Sequence, residues 1–224
     1  MATVTLQTTY QNEVDGTSFT TGSFTPNAND LIVVSVCARG TVLTTPTMTS
    51  SVGGKTFSRV YSVYPGSIGT TSLFIADQLA SNTSQTVTFD CTSDDATSVV
   101  ITVYSISGMS KLGSAALLQT ATDGAGTVDP VFSSTPLTTN PIICTVFTLD
   151  NTPGLTAPTG FTTAVETIGS SPSGAVITSY ASSGITSTTN TWGGSLGSGF
   201  RATHWELDAS ASAALARSFG IVCG

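Results

Sequence analysis

The apolar positions of this chain fall in short runs and not in long periodic stretches. The longest is Asp30–Ala38 (DLIVVSVCA), nearly continuous and rich in β-branched residues. It is led in by Pro26-Asn27-Ala28-Asn29 and followed by Arg39-Gly40. Such a run marks a strand buried on both faces. A second version stands at Pro141–Leu149 (PIICTVFTL), after Asn140 and before Asp150-Asn151. Ser98–Ile106 and Ser218–Cys223 read as two more apolar strands, each closing one half of the chain. Shorter strands are predicted at Thr3–Thr9, Ser18–Phe24, Thr45–Thr49, Thr56–Val63, Thr71–Ala76 and Thr86–Cys91. Between them lie turn formers such as Asp15-Gly16, Gly53-Gly54, Pro65-Gly66 and Ser81-Asn82. Only Asp208–Arg217 has a helical pattern, and its continuation through Phe219, Ile221 and Cys223 suits a strand equally. The predicted class is all-β: an antiparallel β-sandwich or jelly roll with very little helix.

The second half replays the first. Leu31–Cys37 answers to Ile142–Thr148, a separation of 142 − 31 = 111. Phe57 answers to Phe161, Ser72–Ile75 to Ala175–Thr178, and Gln85–Phe89 to Thr188–Trp192. The closing runs Val99–Tyr104 and Phe219–Cys223 complete the pattern. This predicts one continuous domain over residues 1–224, with pseudo-repeat halves of about 1–107 and 108–224 that share a core. Two small separate sandwiches are the other arrangement the pattern allows. The joint, Gly108–Asn140, is no clean flexible linker.

Composition narrows the partners. Charged residues make up 8% of the chain against about 25% in an ordinary soluble domain, while Ser and Thr fill roughly a third. Such strands carry hydroxyls outward where most proteins carry Lys and Glu, leaving little charge to keep neighbouring molecules apart. The net charge is −7, and Lys55, Lys111, Arg39, Arg59, Arg201 and Arg217 are scattered singly. Without a basic stripe, nucleic acid is not an expected partner. No run approaches the ~20 apolar residues of a membrane span, so no membrane partner is expected either. MATVTLQTTY lacks a signal-peptide pattern, which predicts folding in the cytoplasm. Cys37, Cys91, Cys144 and Cys223 sit in or at the ends of apolar runs without C-x-x-C spacing, the pattern of buried reduced thiols.

Candidate chemistry is sparse. The one histidine, His204, has no G-x-S-x-G serine to serve. Asp90, Asp94 and Asp95 form either an Asx-rich turn or a Ca²⁺ loop, and Asp123 and Asp129 flank a Gly-rich loop without EF-hand alternation. Glu166 and Glu206 make a glycosidase pair only where the fold brings them together. Tyr61, Tyr64, Tyr180, Trp192 and Trp205 are candidates for a sugar platform or for core packing. Trp205, beside Arg201, His204 and Glu206, is the candidate exposed contact. No catalytic, metal or cofactor residues are assigned.

Taken in order, the motifs resemble a family of jelly-roll-like structural proteins of tailed bacteriophages. The residues that carry the likeness are Asn29–Val36, the Pro46–Ser50 turn, Thr56–Val63, Ser72–Ala76, Thr86–Phe89 and VITVYSISG ending at Gly108. The resemblance implies a non-enzymatic virion protein, assembled in the host cytoplasm, that decorates or stabilises the capsid or forms a head or collar appendage. Its implied partners are the major capsid protein or other virion proteins and further copies of itself, with a trimer the expected homo-oligomer. A stable contact of that kind buries at least ~1,000 Å². The alternative is a tail-fibre or spike module that binds host surface glycan, with Trp205 exposed in a loop.

Overall fold

A computed structural model describes residues 1–40, 45–53, 55–63, 69–76, 82–91, 96–110, 113–124, 127–149, 154–170, 173–194, 196 and 199–209. The expected turns at Pro65-Gly66 and Asp94-Asp95, and the run Ser218–Cys223, lie outside the described residues, as does Asp208–Arg217 beyond Ala209.

The chain is all-β. The first half contributes β1 (Thr3–Asn12), β2 (Ser18–Thr20), β3 (Leu31–Gly40), β4 (Thr47–Ser50), β5 (Phe57–Val63), β6 (Thr70–Ala76), β7 (Val87–Asp90) and β8 (Ala96–Ser107). A 3-10 turn, Gly113–Ala116, leads into β9 (Leu117–Asp123), β10 (Ile142–Thr148), β11 (Thr162–Ser170), β12 (Ser173–Ala181) and β13 (Phe200–Leu207). Two five-stranded sheets run β1-β8-β3-β6-β5 and β11-β12-β10-β13-β9, and a three-stranded sheet runs β2-β7-β4. Every ladder is antiparallel.

In the first half β1 pairs with β8, β2 with β7 and β3 with β6, so each strand finds its partner inside the previous pair. This nesting is a long hairpin rolled on itself, the jelly-roll plan. Reading β9, β10, β11, β12 and β13 for β1, β3, β5, β6 and β8 reproduces the large-sheet order of the second half, so the duplication is structural.

The register of the repeat differs from the sequence alignment by one residue. Ile32 pairs with Ala76 and Ser105, and Ile142 pairs with Ala181 and Glu206, so Ile32 is the counterpart of Ile142 at a separation of 142 − 32 = 110. A slip of one matters because it exchanges the two faces of a strand. Ile32, Val34 and Val36 face the small sheet of the first half, and Ile142, Cys144 and Val146 face the matching outer segments of the second, with Val128, Phe132, Leu155 and Trp192. The lead-in turns agree with this register. Asp30 N–H donates to Asn27 O at 3.2 Å, and Asn140 N–H to Leu137 O at 2.9 Å. Asn29 completes the first turn at φ 66°, a left-handed conformation that Asn tolerates.

Four layers result. Phe19, Met48, Val87 and Phe89 pack on Ile32, Val34, Phe74 and Ile101 to form one core. Val128, Phe132, Leu155 and Trp192 pack on Ile142, Val146, Ile177 and Phe200 to form a second. The two large sheets then meet face to face along a seam. Leu31, Val33, Leu73, Ile75, Tyr104 and Ile106 of one sheet meet Ile143, Trp205 and Leu207 of the other. Each half therefore has its own core and a third core is shared. This explains why β3 and β10 read as unbroken apolar runs: both of their faces are covered. A band of hydroxyls crosses the seam through Thr102 and Ser35 on one side and Thr203, Thr145 and Thr178 on the other. Beyond it Cys37, Val100, Phe147 and Val176 close the far end. Gly69 lies at that end with φ +128°, and a Cβ there would stand 2.5 Å from Ala38 O and 2.7 Å from a Phe147 ring carbon, so only glycine fits.

Candidate functional site

The four residues expected as an exposed contact all lie on β13, and the structure corrects that expectation. Trp205, His204 and Glu206 are fully buried and Arg201 is half-buried. β13 runs between β10 and β9, so its side chains alternate between two interiors. Trp205 points into the seam with Leu207, while His204 points to the opposite face of the sheet, toward Phe132 and Trp192 of the second core. The residues adjacent in sequence are therefore held apart by the sheet itself.

His204 sits in an aromatic cage, with ring centroids 6.2 Å from Phe132, 6.0 Å from Phe161 and 6.2 Å from Trp192. Its Nε2 accepts the Trp192 indole N–H at 3.0 Å, which places the ring proton on Nδ1. Burial pushes its pKa down to about 3, so the imidazole is neutral across the physiological range. The neutral ring packs among these aromatics with its lone pair engaged by Trp192, while its buried Nδ1 has no protein partner.

Glu206 is a structural anchor. One carboxylate oxygen accepts the Leu137 amide at 2.9 Å and the Asn140 side-chain amide at 2.7 Å, and the other accepts from Gln119 Nε2. Gln119 in turn holds the connector through the Ser134 amide and the Ser133 and Ser134 hydroxyls, at 3.1–3.3 Å. Asn140 Oδ1 accepts the Ala209 amide at 3.0 Å. The carboxylate thus ties the 133–140 connector to the end of β13. Each of these donors is neutral, and no cation is needed to satisfy the oxygens.

The remaining candidates separate in the same way. Glu166 is exposed on β11, and β12 and β10 lie between it and β13. Three strand spacings of about 4.8 Å put the Glu166 and Glu206 strands about 14 Å apart, too far for a glycosidase pair. Asp123 turns its carboxylate onto its own loop, accepting the Gly124 amide at 2.6 Å and the Asp129 amide at 3.1 Å. Asp94, Asp95 and Tyr64 lie outside the described residues. Tyr61 stacks edge-on to Trp205 at 5.7 Å, Tyr180 edge-on to Tyr104 at 5.9 Å, and Trp192 fills the second core. Trp192 and Trp205 are fully buried, whereas Tyr61 and Tyr180 are half-buried beside their aromatic partners. Cys37, Cys91 and Cys144 are buried thiols, and burial pushes Cys37 up to about 12 and Cys144 well above its ordinary value. Cys223 lies outside the described residues. No group of three or more His, Cys, Asp and Glu stands close enough to hold a metal ion among the described residues.

One concave feature was not legible in the sequence. A small open hollow lies at the far end of the seam, with Val100, Phe147 and Val176 among its apolar lining and Arg39 and Glu13 among its charged lining. It forms where β1, β3 and β8 of one half meet β10, β11 and β12 of the other, residues far apart in the chain. Compared with protein-family models, curated proteins and solved structures, this chain matches none.

Proposed function

We propose that this chain is a non-enzymatic structural protein of a bacteriophage virion, decorating or stabilising the capsid or forming a head or collar appendage. The observation that carries the reading is where the polar chemistry goes. His204, Glu206 and Asn140, the side chains best equipped to act on or bind a ligand, are buried: Glu206 and Asn140 hold internal partners, and His204 accepts from Trp192. The outside is left to Ser and Thr with few charges, a surface suited to close packing against neighbours. The motif resemblance points the same way. The partners under this reading are the major capsid protein and other virion proteins, together with further copies of this chain in a homo-oligomer, a trimer by expectation.

A tail-fibre or spike module that binds glycan is the second reading. It loses its leading residue, because Trp205 is fully buried in the seam. Cryo-electron microscopy of particles with and without the protein separates the two. Regular density lost from the capsid surface on deletion supports decoration and gives the symmetry. Loss confined to the tail tip or fibres supports host recognition, and an unchanged particle overturns both.

A further inference from the structure

Gln85 stands just before β7, 2% exposed, with its backbone pinned from both sides. Phe24 N–H donates to Gln85 O and Gln85 N–H to Phe24 O, each at 2.9 Å. The side-chain oxygen of Gln85 accepts two more hydrogen bonds, from Ser50 Oγ–H at 2.8 Å and from Lys55 Nζ at 2.6 Å. The Ser50 hydroxyl is itself fixed, because its oxygen accepts the Val52 amide at 3.1 Å. The other end of the carboxamide is unsatisfied: Gln85 Nε2 is buried with no protein partner. A buried donor in that state costs free energy to hold. The fold does not demand a carboxamide at this place. Its match in the second half is Thr188, whose carbonyl accepts the Phe132 amide at 2.9 Å just as Gln85 accepts that of Phe24.

Lys55 brings an amine to this group. It is half-buried, and desolvation lowers its pKa to about 8, so a share of it is the neutral, nucleophilic amine near neutral pH. Its nitrogen already touches the carboxamide, and Cδ lies one bond beyond the oxygen in contact. The Ser50 hydroxyl on that same oxygen is placed to hold the negative charge that develops there when an amine adds to the carbon.

We propose that Lys55 and Gln85 join in an intramolecular amide bond, a covalent staple between the segment after β4 and the segment before β7. Nζ bonds to Cδ, the Cδ–Nε2 bond breaks, and Nε2 leaves as ammonia with a proton that Nζ gives up. Nothing is oxidised or reduced, and no co-reactant is consumed. The exchange also removes the unsatisfied Nε2 from the interior. Holding the two groups in contact supplies the proximity that a free amine and a free amide lack in solution. The inference stands independently of the virion reading.

Mass spectrometry of the full chain tests it. Folded protein held for days at about pH 9, above the Lys55 pKa, is expected to weigh one ammonia less than its sequence. Trypsin should then release residues 40–59, uncut after Lys55, joined to residues 60–111. Protein kept in guanidinium chloride throughout should retain its full mass, because unfolding separates the pair. Lys55→Arg keeps the charge and the donor but has no primary amine to join, and it should also retain full mass. Emission from the buried Trp192 and Trp205 confirms that this variant is folded, and the peptide map of the unaltered chain decides the matter if it is not. A folded, unaltered chain with its full sequence mass and an ordinary tryptic cut after Lys55 overturns the proposal. An ammonia loss that persists in Lys55→Arg, or that maps to other residues, overturns it as well.

Discussion

The two halves share a large-sheet topology but hold their outer layers differently. In the first half the outer layer is a sheet, β2-β7-β4, and its side-chain bonds stay within that layer, from Val87 N–H to Thr21 Oγ1 at 3.1 Å and from Ser50 and Lys55 to the buried Gln85 at 2.8 and 2.6 Å. In the second half the corresponding segments, among the described residues, make isolated bridges, Val131 with Thr189 and Thr156 with Gly193. Side-chain bonds from the large sheet take over. At matched positions of the closing strands, Val103 is replaced by His204 and Ser105 by Glu206. Gln7 donates to Ser105 Oγ at 2.8 Å, whereas the matched edge strand uses Gln119 to bridge Glu206 and the connector. Where backbone ladders are short, buried polar side chains carry the loops. The same fold can thus be closed by hydrogen-bonded strands or by a carboxylate and an imidazole.

The sharpest way to break this comparison is at the matched pair Glu206 and Ser105. Glu206→Ala strands three donors in the interior and is expected to cost about 3–5 kcal/mol, against about 1 kcal/mol for Ser105→Ala. Urea unfolding of both variants measures the difference, and equal losses would show that the two halves are held alike. Acid titration should act next. The folded pKa of His204, about 3, lies below the ~6.5 of an unfolded histidine, so its contribution is complete above ~6.5 and declines as pH falls toward 3. Unfolding free energy should then fall by up to about 1.4 kcal/mol per pH unit through this histidine. His204→Val, which installs the residue of the first half, should remove that slope.

Trp192→Phe removes the indole donor and should cost about 1–2 kcal/mol in the wild-type background. In a His204→Val background the hydrogen-bond part of that loss should vanish, so a double-mutant cycle reads the coupling directly. The smallest effect belongs to the seam, which both halves share. The Thr102 and Thr145 hydroxyls are buried without a protein partner, and Thr102→Val or Thr145→Val should leave stability unchanged or raise it by about 1 kcal/mol or less. A shift in thermal midpoint of opposite sign would show that these hydroxyls hold the seam together.

Much of the first half was legible because its strands obey simple patterns. β3 and β8 are apolar runs, and β5, β6 and β7 fall within a few residues of their predicted places. The second half was harder for the reason that distinguishes it. FRATHWEL carries Arg, His and Glu, so it reads as a loop with exposed functional groups although it is a buried strand. The apolar pattern therefore gave the closing role to Phe219–Cys223, whereas the counterpart of β8 is β13. β9, LLQTATD, was missed because it is an edge strand with mixed polarity inside what looked like a connector. The contact proposed around Trp205 failed for the same reason. Sequence shows which residues are polar, but burial of a polar group depends on partners such as Leu137, Asn140 and Trp192 that lie far along the chain.

The nested pairing has a consequence for how the molecule is made. β1 cannot complete its ladder until β8 exists, so a growing chain must synthesise through Ser107 before its first layer closes. At that moment the seam face of the first large sheet, with Leu31, Val33, Leu73 and Tyr104, has no cover, because Trp205 and Leu207 arrive a hundred residues later. Ribosome-stalled chains ending near residue 140 should therefore bind a hydrophobic dye strongly and lose that binding once β13 has emerged. For the span of that synthesis the chain is half-built with its stickiest wall facing water, and speed of completion is what keeps it from joining the wrong neighbour.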